Sequence, residues 1–404
     1  MIAVHRRALR VGAAVLSLGL LAAGCGSPSS SAKGRVAEST TTTTIAKGPD
    51  STAAQFRVKL NGLLEEHVYL AAAATGAAIG GRSDEFNGAA AALGGNTDAL
   101  TANFTAIFSA DVGKQFDALW KKHIELLVSY AQTKSAQALS DLAQYARDFG
   151  AFIAGNLPSL TADAVTGLVT THVNDLKAIV DAQAGGNETD AFADQRMAAT
   201  HMATVASGLA GAIHKKNPDM IGGDAASKPA DLVTALSGAL REHVFLTAAA
   251  TDAIVGGRTD DAAGAKAALD ANTAAITDAI AGIYGADAGK AFGPLWARHV
   301  GFLVDYATAV AAKQQPAADQ AMANLLQYAE DFGAFLSGAS PKLSKESVAA
   351  LIVTHISTLK DIIDAQGAKN WTTAYTSERT AADHMSTVAA TLAATIVSQF
   401  PNNY

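Results

Sequence analysis

The sequence predicts an all-α fold: two tandem up-and-down helical bundles, of ferritin-like or four-helix-bundle type, produced by an internal duplication. Three observations carry this. Apolar residues make up 49% of the 404-residue chain but aromatics only 6%, and Ala dominates, a composition that suits packed helices rather than sheets. Apolar positions recur at spacings of three and four, and no useful stretch alternates with period two. Long phrases also return: LEEHVYLAAAATGAAIGGRSD (64–84) reappears as LREHVFLTAAATDAIVGGRTD (240–260), and QYARDFGAF (144–152) as QYAEDFGAF (327–335). A period this long marks a duplicated domain rather than a solenoid.

The first segment is read as an export signal. Arg6, Arg7 and Arg10 form a basic head, Val11–Ala23 is an apolar run too short for an ordinary membrane span, and Gly24-Cys25 follows. The stretch LLAAGC resembles a bacterial lipobox, with Ala22 standing where Leu is commoner. The resemblance implies cleavage after residue 24, lipidation of Cys25 and a place on the outer face of the cell membrane; the plainer alternative is an ordinary secretory peptide. Cys25 is the only cysteine, so the rest of the chain has neither disulfides nor thiolate ligands. Loss of the three arginines with the signal takes the net charge from −7 to −10, which argues against nucleic acid as a partner. Residues 25–52, with SPSSS and Thr40–Thr44, have no hydrophobic period and read as a tether.

Repeat 1 is placed at 53–214, a linker at 215–229 and repeat 2 at 230–402. Within repeat 1 the pattern predicts helices over 53–79, 84–108, 111–134, 137–155, 161–184 and 188–214. Gly80-Gly81, Asn156 to Pro158 and Gly185-Gly186 act as breakers. The linker, NPDMIGGDAASKP, is rich in Pro and Gly. The offset between repeats is 176 residues at first and 183 after the third helix, so seven extra residues sit around Pro316.

The functional signal is histidine. His67, His123, His172 and His201 each lie near the middle of a predicted helix and inside its apolar stripe, for instance Phe116, Leu119, Trp120, His123, Leu126, Leu127, Tyr130. Antiparallel helices of similar length align their midpoints, so the four rings are expected in one buried layer. His243, His299, His355 and His384 repeat it. Neutral imidazoles in a bundle interior are good ligands for Cu, Zn or Fe. Asp148 and Asp331 are the carboxylates expected to complete the ligand set. Glu66/Glu242 are weaker choices because each directly precedes a histidine and so points about 100° away from it on a helix. Asp181/Asp364 are further candidates, and Met202/Met385 would add thioether character favouring copper. Two other readings stand beside metal binding: a polar layer that sets bundle register in a structural or interaction module, and a non-covalent haem or redox site. No Glu-x-x-His pair, His-Glu-x-x-His, Gly-x-Ser-x-Gly or phosphate loop is present, and no catalytic residue is assigned.

The order of phrases is also similar to that of an uncharacterised family of secreted or membrane-tethered bacterial helical proteins. Glu242-His243, Asn272, Tyr284-Gly285 to Gly289, His299 and Phe400-Pro401 carry the likeness, and in the first repeat FSADVG (108–113) replaces the YG turn. The resemblance implies a duplicated bundle and no particular activity.

Overall fold

The computed structural model describes residues 51–404. The signal segment, Cys25 and nearly all of the tether lie outside the described residues. Twelve helices follow one another: α1 (Thr52–Ile79), α2 (Ser83–Ile107), α3 (Ala110–Thr133), α4 (Ala136–Asn156), α5 (Ala162–Ala184), α6 (Glu188–Lys216), α7 (Lys228–Val255), α8 (Thr259–Tyr284), α9 (Ala286–Ala311), α10 (Gln315–Ala339), α11 (Lys345–Gly367) and α12 (Trp371–Gln399). The described residues contain no strand, and the all-α expectation holds. Side-chain caps mark many of the starts: Ser51, Ser109, Ser135, Thr161 and Ser344 each accept a hydrogen bond from a backbone N–H of the first turn. Gly80 ends α1, and Gly81 turns the chain with a φ of 66°. The extra residues near Pro316 lengthen helices rather than form a loop: α9 has 26 residues where α3 has 24, and α10 has 25 where α4 has 21.

Each set of six helices surrounds a core of its own. α1 packs against α2, α3, α5 and α6, and α7 against α8, α9, α11 and α12. α1 and α7 also pack on each other. These two helices are therefore enclosed, and every residue from Leu60 to Ala72 is buried. A single apolar stripe does not describe such a helix; it is apolar on all sides because protein lies on all sides.

The two sets of helices are joined along a polar seam whose contacts recur at equivalent positions. Glu66, 1% exposed, accepts hydrogen bonds from Asn96 (3.1 Å), Arg241 (3.0 Å) and Arg379 (2.6 Å). Glu242 accepts from Asn272 (2.6 Å), Arg196 (2.7 Å) and the Tyr69 hydroxyl (3.2 Å). Tyr69 stacks on its counterpart Phe245 with ring centres 4.9 Å apart. One pair breaks the equivalence: Glu65 in α1 stands where α7 has Arg241. Burial raises the Glu65 pKa well above its usual value, and the nearby Arg241 charge opposes that shift.

Two glycines let backbone from the other set of helices come close. A Cβ on Gly88 would lie 2.6 Å from Cβ of Trp371, and one on Gly264 would lie 2.7 Å from the Glu188 backbone carbon. Ala ordinarily strengthens a helix relative to Gly by about 1 kcal/mol. Gly94, on the same helix as Gly88, has open space at its Cβ. Gly94→Ala is therefore expected to raise the urea midpoint. Gly88→Ala and Gly264→Ala are expected to lower stability by roughly 1–3 kcal/mol through overpacking at the seam. Equal effects at all three positions would contradict this close approach.

Candidate metal centre

Two groups of three histidines meet inside the helices, His67, His123 and His172 in one and His243, His299 and His355 in the other. Each is supplied by the enclosed helix and two of its neighbours: α1, α3 and α5, then α7, α9 and α11. None of the six rings is more than 5% exposed. In each group one nitrogen from every ring lies within 4.8 Å of the other two. The tightest edge is Nε2 to Nε2, 3.1 Å between His67 and His123 and 3.1 Å between His243 and His299. Imidazole nitrogens bound to one metal at about 2.0–2.1 Å stand roughly 3.3–3.6 Å apart, depending on coordination geometry. One edge of each triangle already has that scale, and rotation of His172 or His355 supplies the third nitrogen.

The hydrogen-bond inventory singles out the same rings. Both nitrogens of His172 and both of His355 are buried without a protein partner, as are Nδ1 of His67 and Nδ1 of His243. Buried polar atoms are normally paired. His299 differs, because its Nδ1 donates to the Trp296 carbonyl at 2.5 Å. That contact fixes the tautomer and leaves the His299 Nε2 lone pair facing its neighbours. The donor set therefore fits a metal that accepts neutral nitrogen ligands.

Burial also sets the protonation state. Desolvation pushes His123 and His172 down to about 3, His299 to about 4 and His355 to about 3. His67 and His243 are lowered by burial first, then by the repulsion of the other two rings. All six are neutral at physiological pH. Aromatic rings wall each group. Trp120 lies 4.9 Å from His67 and 4.7 Å from His123, and Tyr145 stacks on His123 at 5.0 Å. Trp296 and Tyr328 repeat this around His243 and His299.

The expected fourth ligands are elsewhere. His201 is half-buried, and its Nε2 donates to the Leu168 carbonyl at 3.0 Å; His384 does the same to Leu351 at 3.0 Å. The layer thus has three rings, because α6 and α12 turn Met202 and Met385 inward and leave the preceding histidine beside a neighbouring backbone. Asp148 is 40% exposed and engaged by Gln144 (2.8 Å) and Lys122 (3.9 Å). Asp331 is 38% exposed and engaged by Arg298 (2.9 Å) and Gln327 (3.1 Å). The inward face of α4 is Leu142, Tyr145, Ala146, Phe149 and Ile153, which excludes Asp148 and brings Tyr145 to the triad instead. Asp181 and Asp364 accept from Tyr130 (2.7 Å) and Tyr306 (2.7 Å) and pair with lysines. Glu66 and Glu242 serve the seam. Sequence reasoning placed Trp120 on the same face as His123 but did not assign it, or Tyr145, to the walls of the site; the signal available was the three-residue spacing of Trp120 and His123.

Among the described residues no helix is long and apolar enough to cross a membrane. Comparison with family models, curated proteins and solved structures returned no match for the chain.

The lowered histidine pKa values make the metal-free protein acid-sensitive. In the unfolded chain these rings titrate near 6.5, and in the fold four of them resist protonation to about 3 or 4. Between those values the unfolded state binds more protons, so stability is full above about pH 6.5 and drains as pH falls toward 3. Urea midpoints of metal-free protein are expected to decline steadily from pH 7 to pH 4. The His123→Gln variant is expected to show a shallower decline, because one depressed group has been removed. A flat profile would show that the rings are not buried neutral.

Proposed function

We propose that the protein binds a transition metal at each histidine triad, and that it does so as a lipid-anchored protein of the cell envelope, for metal storage, buffering or delivery. The observation that carries the metal reading is the pair of equivalent clusters of buried, neutral imidazoles with unpartnered nitrogens. The lipid anchor rests on the LLAAGC stretch and the single Cys25.

Charge argues for the metal's identity. The triads contain no carboxylate, so the full charge of a bound ion remains in a buried site. The solvation cost of burying an ion grows as the square of its charge, about four times more for a divalent than a monovalent ion. A hydroxide ligand would offset one charge, but the space beside His172 is a cavity of about 40 Å³ bordered by leucines, phenylalanines and Met202. Trp120 and Tyr145 border it too, but a wall so largely apolar offers hydroxide few hydrogen bonds. Monovalent copper, which accepts three nitrogen ligands and a nearby thioether, fits best.

The test is elemental mass spectrometry on the full chain, purified without a histidine tag or chelator, followed by anaerobic titration with Cu(I). Up to two copper ions per chain are expected, one in His123→Gln or His299→Gln, and none in the double variant. Zinc bound in place of copper would overturn the metal's identity. Absence of any metal uptake would leave the triads as structural polar layers and sink the functional reading.

A further inference from the structure

A second site lies away from the histidines. Between the two sets of helices, bordered by α1, α6, α7 and α12 among others, is a cavity of about 290 Å³. Equivalent positions of the two repeats face it, but with different chemistry. Asp252, Tyr375 and Glu378 border it from the second repeat, where the first has Gly76, Phe192 and Gln195.

The polar groups are not all accounted for by the protein. Glu85 is held by Arg82 at 2.7 Å, and Asp261 by Arg258 at 2.7 Å. Arg258 also binds one oxygen of Asp252, while the other oxygen is buried with no partner. Glu378 is 7% exposed, Gln195 6% and Tyr375 8%, and none of the three side chains makes a hydrogen bond or ion pair with the described residues. Glu188 borders the same space without a cationic partner. Burial, together with the nearby Glu66 and Asp252 charges, holds the Glu378 pKa well above the usual carboxylate range, so the neutral form is favoured until a cation beside it draws off the proton. Five carboxyl groups thus share the cavity with two guanidinium groups, and the acceptors left over are the Glu378 and Glu188 carboxyls, one oxygen of Asp252, the Gln195 amide and the Tyr375 phenol.

We propose that this cavity binds a small primary ammonium ion, with Glu378 supplying the countercharge and Gln195 and Tyr375 further hydrogen bonds. The volume is far larger than a bare metal ion needs. Tyr69, Phe245 and Phe192 also line the cavity and supply apolar surface for an alkyl chain. A primary ammonium has three donor hydrogens, which Glu378, Gln195 and Tyr375 can accept.

Isothermal titration calorimetry of the full chain with butylammonium, in the presence of a chelator to keep the histidine triads out of the reading, tests this. Saturable binding of one ion per chain is expected. Glu378→Gln, which installs the residue of the other repeat, is expected to weaken it about tenfold or more, the loss of a charge-assisted hydrogen bond. Tyr375→Phe, again the counterpart residue, should weaken it less. Circular dichroism of both variants should match the parent. Absence of binding by the parent, equal binding of tetramethylammonium, which has charge but no donor hydrogen, or an unchanged affinity in Glu378→Gln would each overturn the proposal. Tighter binding of magnesium or calcium, titrated separately without chelator, than of butylammonium would also overturn it. None of these outcomes depends on whether the triads hold copper.

Discussion

A helix walled in on every side leaves its polar side chains no route to water, and α1 and α7 impose that constraint on the whole molecule. Successive residues on a helix point about 100° apart. On α1, Glu65, Glu66 and His67 are all buried and must find three different destinations within the protein. His67 turns toward the rings of α3 and α5, and Glu66 toward the guanidinium groups of Arg241 and Arg379. Glu65 faces the α7 side, where Arg241 lies. The geometry of the histidine triad and the seam are thus set by adjacent residues on one turn of one helix. A shift of α1 along its axis would disturb both together, which couples the packing of the two helical sets to the interior of each.

Much of this was legible in the chain. The period of three and four, the Gly-Gly breakers and the repeated phrases located the helices to within about two residues, because each rests on local chemistry. The convergence of His67, His123 and His172 was legible because midpoints align when helices of similar length pack antiparallel. The fourth ring was not. Whether His201 or Met202 faces inward depends on the rotation of α6 about its axis, and an apolar stripe broad enough to include both does not fix that rotation. Asp148 failed for a related reason: it sits beside Tyr145 and Phe149 in a repeated phrase, yet one step around the helix it meets solvent and Lys122. The cavity between the repeats was wholly illegible, since it depends on how two folded units meet.

The triads and the cavity divide the molecule's buried polar chemistry into two kinds. The triads hold neutral donors in apolar surroundings, where desolvation removes the proton and leaves the lone pairs exposed to one another. Carboxyl groups, which would have compensated a bound dication, are kept to the surface or the seam. The cavity gathers acids instead, and guanidinium groups neutralise only part of them. The two environments therefore differ in kind, one neutral and nitrogen-rich, the other acidic and only partly neutralised.

The exchange of Glu65 for Arg241 bears on how the duplicated halves relate. Two identical halves meeting about a two-fold axis must present each residue near the axis to a copy of itself. A pair of first halves would set a buried glutamate against a buried glutamate, and a pair of second halves an arginine against an arginine. Divergence at this position, and at those that line the cavity, makes the two meeting surfaces different from one another. The two halves therefore do not meet as copies, and each presents its own side chains to the space between them: Asp252, Tyr375 and Glu378 from one, Gly76, Phe192 and Gln195 from the other.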